Sequence, residues 1–334
     1  MRAIQIPDPG SFEVVELPVP EPGPADVIIE VGACGVCGTD LHILAGEFPP
    51  TPYPIVPGHE AAGTVSAVGS DVVGLREGDR VAVDPSLFCG ACHFCRIGRG
   101  NLCERWGAIG ETVDGAFAEY AKVPAANAYP IPDGLSFGAA ALVEPVSCAV
   151  HAVDRLQLGF GETVLIYGAG TMGLILAQLL RSAGASLVAM CDINEARLER
   201  ARSFGFKVIG KDFEAVRSAS LRGYDNVIEA TGVTQVANDA MAAVAKGGKL
   251  MIFGVAPAEE NAGYEPFRVY NEEITIVGSM AVLVSYGRAV DLVASGAVDA
   301  AQMLSHTVGL DDFAKALDLV RTGEGLKVQV DPSL

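Results

Sequence analysis

The 334-residue sequence predicts an α/β protein of two domains: a mainly-β first part with long loops, then a doubly wound parallel sheet. Three observations carry that expectation. The chain is long for one small core, and with half its residues hydrophobic and 19% charged it has the make-up of a packed globular protein. Most of the prolines and many glycines fall in the first 150 residues, between short β-type runs. From about Thr163 the rhythm changes to repeated strand, turn and helix.

Along the first part, "DVIIEVGA", "AAGTVSAVG", "RVAVDP" and "AFAEYAKVP" read as strands. Further on, "TVLIYGAG" has the pattern of a buried strand and "TMGLILAQLLRSAG" that of a helix. "SLVAMCD" follows as a strand and "NEARLERARSFG" as a helix with its closing glycine. The alternation continues through "YDNVIEATG", "VANDAMAAVAKGG" (a helix), "KLMIFGVA" and "EITIVGSM", which implies a parallel sheet with helices on both faces. The tail from about Ser279 holds a helical run, "GRAVDLVASGAV", and a final strand, "LKVQVDP", able to return to the first domain.

A net charge of −18 argues against a nucleic-acid or anionic-membrane surface, either of which needs a basic patch, and leaves small molecules as the expected partners. The N-terminal "MRAIQIPDPG" lacks the apolar run of a signal peptide. Thr163 to Leu180 approaches membrane-spanning length, but it contains three glycines and Gln178 and lacks positive flanks. The expectation is a soluble, cytoplasmic protein. Eight cysteines without an export signal then point to metal binding or catalysis before disulfides.

"GAGTMG" fits the G-x-G-x-x-G pattern, with a strand before it and a helix after it. Gly168, Gly170 and Gly173 allow a tight turn and a close approach of the backbone to a pyrophosphate, with Thr171 and Met172 at the helix start. Asp192 follows the next strand, 19 residues after Gly173, where a carboxylate accepts from adenosine ribose hydroxyls and repels a 2′-phosphate; NAD is therefore expected. Arg197 is counted with this site. The competing reading of Asp192 is a helix cap for "NEARLERA".

"CGACHFCRIGRGNLC" places Cys89, Cys92, Cys95 and Cys103 with two, two and seven residues between them. Four thiolates so spaced close a tetrahedron around zinc and leave no open position, as a structural site requires. An iron–sulfur reading is disfavoured because no Cys-Pro follows after three residues. "ACGVCGTDLH" contains Cys37, Thr39, Asp40 and His42, and "VPGHEAAG" contains His59 and Glu60. Cys37, His59 and Glu60, joined by Glu144 of "VEPVSCAVH", offer thiolate, imidazole and carboxylate ligands for a catalytic zinc with one position left for substrate. Cys34, Cys148 and Cys191 read as buried small hydrophobes.

"CGTDLH", "GHEAAG", the four-cysteine loop, "EPVSCAVHAVDRL" and "GAGTMG", in this order, resemble the zinc-dependent medium-chain alcohol dehydrogenases across nearly the whole chain. "GHE" and "VEP" are similar to the polyol and threonine dehydrogenase branches. The resemblance implies a GroES-like mainly-β catalytic domain, residues 1–145 completed by 282–334, and a Rossmann NAD-binding domain, residues 146–281. It implies two zincs per chain and makes Cys37 and His59 ligands of the catalytic one, with Glu60 or Glu144, or both, beside them. Asp40 would orient His59 by a hydrogen bond, and Thr39 would take the substrate hydroxyl proton and His42 pass it to solvent. Hydride transfer from a secondary alcohol or polyol to NAD, by a homodimer or homotetramer, is the implied activity. Sorbitol-type members carry an arginine where this chain has Ala281, so the pocket is expected to be more apolar, with Met280, Val282 or Leu283 in its lining.

Overall fold

The computed structural model describes residues 1–48 and 51–334. The chain divides into two compact units, Met1–Ser147 with Val282–Leu334, and Cys148–Ala281.

The first unit is built on a seven-stranded sheet. The long strand Asp26–Val36 lies at its centre, pairing antiparallel with Glu60–Val68, with Tyr120–Pro124 and with the C-terminal strand Lys327–Val330. The strands Arg80–Val83, Ala128–Pro130 and Leu304–Val308 complete it. The alternation of Val27, Ile29 and Val31 sends one face of the central strand into a core with Ile4, Val65, Phe117, Phe313 and Val328. Phe313 is wedged between Phe12 and Phe117, with ring centroids 5.2 and 5.0 Å away. Phe117 and Phe313 are fully buried, and each contributes about 1.5–3 kcal/mol. In this sheet Gly35 stands opposite Glu60 on one side and Gln329 on the other. That register brings the chain's last strand to the residues around Glu60.

The second unit is a six-stranded, wholly parallel sheet. Its order is Lys207–Gly210, Leu187–Cys191, Thr163–Tyr167, Tyr224–Glu229, Val244–Ile252 and Thr275–Gly278. The first strand in sequence, Thr163–Tyr167, therefore sits in the middle with later strands added on both sides, the arrangement that opens a ligand crevice at the carboxyl ends of the strands where the order reverses. Val164, Leu165 and Ile166 are fully buried, as expected of a central parallel strand covered on both faces.

Two local expectations are corrected. The helix read in "VANDAMAAVAKGG" ends at Ala240, and the strand Val244–Ile252 begins inside that stretch, because Val244 pairs with Tyr224 and a register shift absorbs the glycines Gly247 and Gly248. Cys148 is only half-buried, unlike Cys34 and Cys191. Thr163 to Leu180 folds as a strand, a glycine turn and a helix. The helical run Phe137–Leu156 is long and apolar enough to cross a membrane, but 67% of that window is buried inside the protein.

Candidate active site

In the second unit, the turn after Thr163–Tyr167 shows why three glycines are needed. Gly168 has φ +104°, a conformation that L side chains rarely adopt. A Cβ on Gly173 would lie 1.9 Å from the Gly168 carbonyl oxygen, so the helix Thr171–Ser182 closes onto the turn only without a side chain there. A Cβ on Gly170 would meet nothing within 4 Å. Gly170 is the N-cap of that 12-residue helix, and no side chain caps it. Open space in front of uncapped N–H groups suits a dinucleotide pyrophosphate. Thr171 and Met172 begin the helix.

Asp192 is 7% exposed and accepts from the Ala169 and Asn194 N–H groups, each at 2.8 Å. It therefore ties the glycine turn to the next strand end. The helix cap is Asn194, which accepts from Ala196 and Arg197 N–H. Arg197 Nη1 lies 3.8 Å from Asp192. Glu229, which the sequence did not mark, is 1% exposed and accepts from the N–H groups of Thr231 (2.6 Å) and Gly232 (3.0 Å), bracing the neighbouring turn.

In the first unit, Cys37 is the N-cap of the helix Gly38–Ala45. Its sulfur accepts from Thr39 N–H at 3.3 Å, and its own N–H donates to Asp40 at 2.8 Å. Gly58, with φ +101°, turns the backbone just before His59. His59 Nε2 comes to 3.2 Å from Cys37 Sγ, and a Glu60 carboxylate oxygen lies within 4.8 Å of both. A tetrahedral zinc with its usual bond lengths spaces its ligand atoms about 3.3–3.8 Å apart, so this donor set fits a zinc ion. His59 is nearly buried, and its Nδ1 makes no hydrogen bond.

Asp40 does not make the hydrogen bond expected of it. Its Oδ1 stands 3.7 Å from His59 Nδ1, and Glu111, which no sequence motif singled out, is matched against it at 3.8 Å. The imidazole is thus flanked by two buried carboxylates. Burial alone would lower the pKa of His59, but the charges of Cys37, Asp40 and Glu111 carry it well above the ordinary value. Burial pushes Asp40 up to about 6, against the pull of His59 and the Cys37 N–H, and also raises Glu111.

Glu144 is buried on the helix Val143–Leu156. It stands outside the trio, and its charge acts on Lys327. Lys327, also unmarked in the sequence, is 2% exposed and pairs with Glu60, its Nζ 2.6 Å from Oε1 and in contact with Oε2. No sequence signal pointed to it, because it belongs to the last strand. Thr39 and His42 share one face of their helix, three residues apart. His42 is exposed and its Nδ1 donates to Glu47 at 2.9 Å, which leaves Nε2 as the nitrogen able to take a proton.

Cys89, Cys92, Cys95 and Cys103 have their sulfurs within 4.8 Å of one another. Backbone N–H groups of Ala91 and Cys92 donate to Cys89, and those of Cys89 and Arg105 to Cys103, at 3.3–3.4 Å. The Ala91 and Cys92 N–H groups lower Cys89 to about 6, whereas burial and its neighbours push Cys95 up to about 12. The four thiols fit a closed zinc site. Ala281 has φ +50° and Val284 φ +49°; Val282 between them is buried, and Met280 is partly exposed.

Residues 23–133 match the alcohol dehydrogenase GroES-like domain family and residues 171–295 the zinc-binding dehydrogenase family. The chain is 36% identical to D-arabinitol dehydrogenase 1 of Uromyces fabae, over 100% of this chain and 97% of that protein. It is 33% identical to L-threonine 3-dehydrogenase of Mesorhizobium japonicum, over 97% and 96%. A Sinorhizobium meliloti 1021 structure bound to NADP superposes with a TM-score of 0.94 at 37% identity, covering 99% of each chain. The chain belongs to the zinc-dependent medium-chain dehydrogenases, oxidoreductases that unite a GroES-like unit with a Rossmann-type nucleotide unit. It is an NAD(P)-dependent enzyme of that family, with two cysteine-containing sites able to hold zinc.

Proposed function

We propose that the protein oxidises a secondary alcohol of a polyhydroxy substrate to a ketone, with NAD as acceptor. The observation that carries this reading is the convergence of Cys37 Sγ, His59 Nε2 and a Glu60 oxygen within 4.8 Å, in a chain 36% identical to an arabinitol dehydrogenase. Zinc bound at this site would supply the Lewis acidity that polarises the alcohol, and a bound nicotinamide the hydride acceptor. Cys37 and His59 would hold the metal, with Glu60 or Glu144 as a further ligand. Thr39, half-buried on the helix that Cys37 caps, receives the hydroxyl proton, and His42 Nε2 passes it to solvent. The four cysteines hold a second zinc that fixes their loop.

Asp192 supports NAD over NADP, since a carboxylate there opposes a 2′-phosphate. The same geometry also suits threonine or a short diol, whose oxidation needs the same groups. Ala281 in place of the arginine of sorbitol-type enzymes favours a less polar substrate end. The edge strand Thr275–Gly278, with Ile276 and Met280 partly exposed, suits pairing with a second copy in a dimer or tetramer, and a cytoplasmic enzyme fits the cysteine chemistry.

The test is NADH formation from a panel of polyols, diols, threonine and aminocyclitols, run on the wild type and on Cys37→Ser. The variant should lose turnover on every substrate while still binding NADH. Near wild-type turnover in the variant would refute the site.

A further inference from the structure

We propose that Glu111 is a positioning residue for His59: it shares with Asp40 the imidazole Nδ1–H and so keeps Nε2 turned to the metal position beside Cys37. The inference rests on the zinc reading of the Cys37 site and goes beyond Asp40, the carboxylate expected to orient that ring.

Three observations carry it. His59 Nε2 faces Cys37 Sγ at 3.2 Å, so Nδ1 stands on the edge of the ring turned away from the metal position. There it meets Asp40 Oδ1 at 3.7 Å and Glu111 Oε1 at 3.8 Å, each about 1 Å longer than a charge-assisted hydrogen bond. His59 Nδ1, Asp40 Oδ1 and Glu111 Oε2 are buried, and none has a hydrogen-bond partner among the described residues. A buried N–H left unpaired is costly, and two acceptors stand at nearly equal distance from this one.

The two carboxylates are held differently. Asp40 Oδ2 accepts from Cys37 N–H at 2.8 Å, which ties that side chain to the cap of its own helix. Glu111 comes from a loop fastened to the histidine's own turn. The N–H groups of Gly115, Ala116 and Phe117 donate to the carbonyls of Val56, Gly58 and Pro57 at 2.7–2.9 Å, and Val56 N–H donates to Asp114 at 2.9 Å. A Cβ on Gly110 or Gly115 would lie 2.4 or 2.3 Å from the Gly58 carbonyl oxygen, so loop and turn meet backbone to backbone. Glu111 follows Gly110 directly, and its Oε2 has no competing partner. A small rotation of either side chain closes a bond to Nδ1, but one N–H makes one strong bond at a time. Each carboxylate therefore stands in for the other, and only loss of both frees the ring. Held through Nδ1–H, the imidazole keeps the tautomer that offers the Nε2 lone pair to a metal.

The experiment measures the zinc affinity of the Cys37 site in the purified holoprotein by chelator competition, with Cys37→Ser reporting the portion held by the four cysteines. Asp40→Asn keeps an oxygen for Cys37 N–H but turns an amide NH2 toward His59. Glu111→Leu removes the other acceptor, whereas Glu111→Gln retains one as an amide oxygen. Asp40→Asn and Glu111→Leu should each weaken zinc by no more than about threefold, and the two together by about a hundredfold, well beyond the product of the singles. Asp40→Asn with Glu111→Gln should stay within about threefold of Asp40→Asn alone, because the amide oxygen still accepts. Proton NMR of zinc-loaded protein carrying isotope-labelled histidine gives a second readout. Glu111→Gln should move the His59 Nδ1–H resonance upfield as a charged acceptor becomes a neutral one.

A double variant no weaker than the product of its singles overturns the proposal, and so does a Glu111→Gln that behaves as Glu111→Leu, which would make the residue a packing element. Where Asp40→Asn fails to fold, the NMR measurement decides alone, and an unmoved Nδ1–H resonance overturns the assignment. A wild-type protein that binds zinc only on the four cysteines would overturn the underlying site reading instead, a result separable by metal count.

Discussion

Replacing Gly170 with alanine adds a methyl group that meets no heavy atom within 4 Å, on a backbone whose φ of −79° any residue accepts. Alanine is the poorer N-cap, which costs up to about 1 kcal/mol. The freedom lost by the unfolded chain returns about 0.4–1 kcal/mol, so the fold should be unchanged to within about 0.5 kcal/mol. The methyl instead occupies the space that a pyrophosphate needs in front of the helix Thr171–Ser182. Loss of one charge-assisted hydrogen bond from that helix start, worth about 1.5–3 kcal/mol, predicts NADH binding weaker by about ten- to a hundredfold. Gly173→Ala is the control. Its Cβ would lie 1.9 Å from a backbone oxygen that no rotamer change can move, and overpacking of this kind costs about 1–3 kcal/mol. That should lower the melting temperature by several degrees. Fluorescence titration with NADH and thermal unfolding of both variants decide the matter. Gly170→Ala binding NADH as tightly as the wild type, or melting as early as Gly173→Ala, would refute the division of roles.

The same geometry sets three further expectations. Gly35→Ala should displace Glu60 from Lys327 and destabilise the first unit by about 1–3 kcal/mol, measured by thermal unfolding; an unchanged melting curve would show that the carboxylate has room elsewhere. Asp192→Ala should weaken NAD and narrow its advantage over NADP in kcat/KM, and should also loosen the glycine turn, because Asp192 accepts from Ala169 N–H. An unchanged cofactor ratio counts against the ribose role. In metal-stripped protein near neutral pH, Cys89, lowered to about 6, is a thiolate and Cys95, raised to about 12, is a thiol, so a limiting dose of iodoacetamide should label Cys89 first by mass spectrometry. Preferential labelling of Cys95 would contradict that assignment.

The parts of the site readable from sequence were those set by local chemistry. "GAGTMG" is local because each glycine answers a clash or an opening within one turn. The four-cysteine loop is local because its ligands lie within fifteen residues. Cys37, His59 and Glu60 were likewise marked by residue type, although their approach depends on the strand pairing that sets Gly35 opposite Glu60. Lys327 and Glu111 were not legible for the opposite reason. A lysine in "LKVQVDP" looks like an ordinary edge residue until the antiparallel pairing of Val328 with Val36 carries it, 267 positions away, to Glu60. Glu111 sits in a loop with no motif, and only burial against His59 distinguishes it. The misplaced end of the helix near Ala240 has the same origin, since the pairing of Val244 with Tyr224 overrides a helix-favouring run of alanines.

The adjacency of His59 and Glu60 is then best understood through charge. Asp40, Glu60, Glu111 and Glu144 are all buried beside the half-buried Cys37, and the protein sets against them one ammonium and one imidazole. Such a balance is unfavourable in a low-dielectric interior unless a further cation joins it, and a divalent metal between Cys37 and His59 is placed to do so. If Glu60 were also a permanent ligand, the site would be more negative, and an alcohol bound there would give up its proton less readily. Pairing with Lys327 offsets the charge of Glu60 while its carboxylate stays beside Cys37 and His59. His59 and Glu60 therefore both stand among the donors around one candidate metal position, and the last strand of the fold supplies the cation that balances the carboxylate.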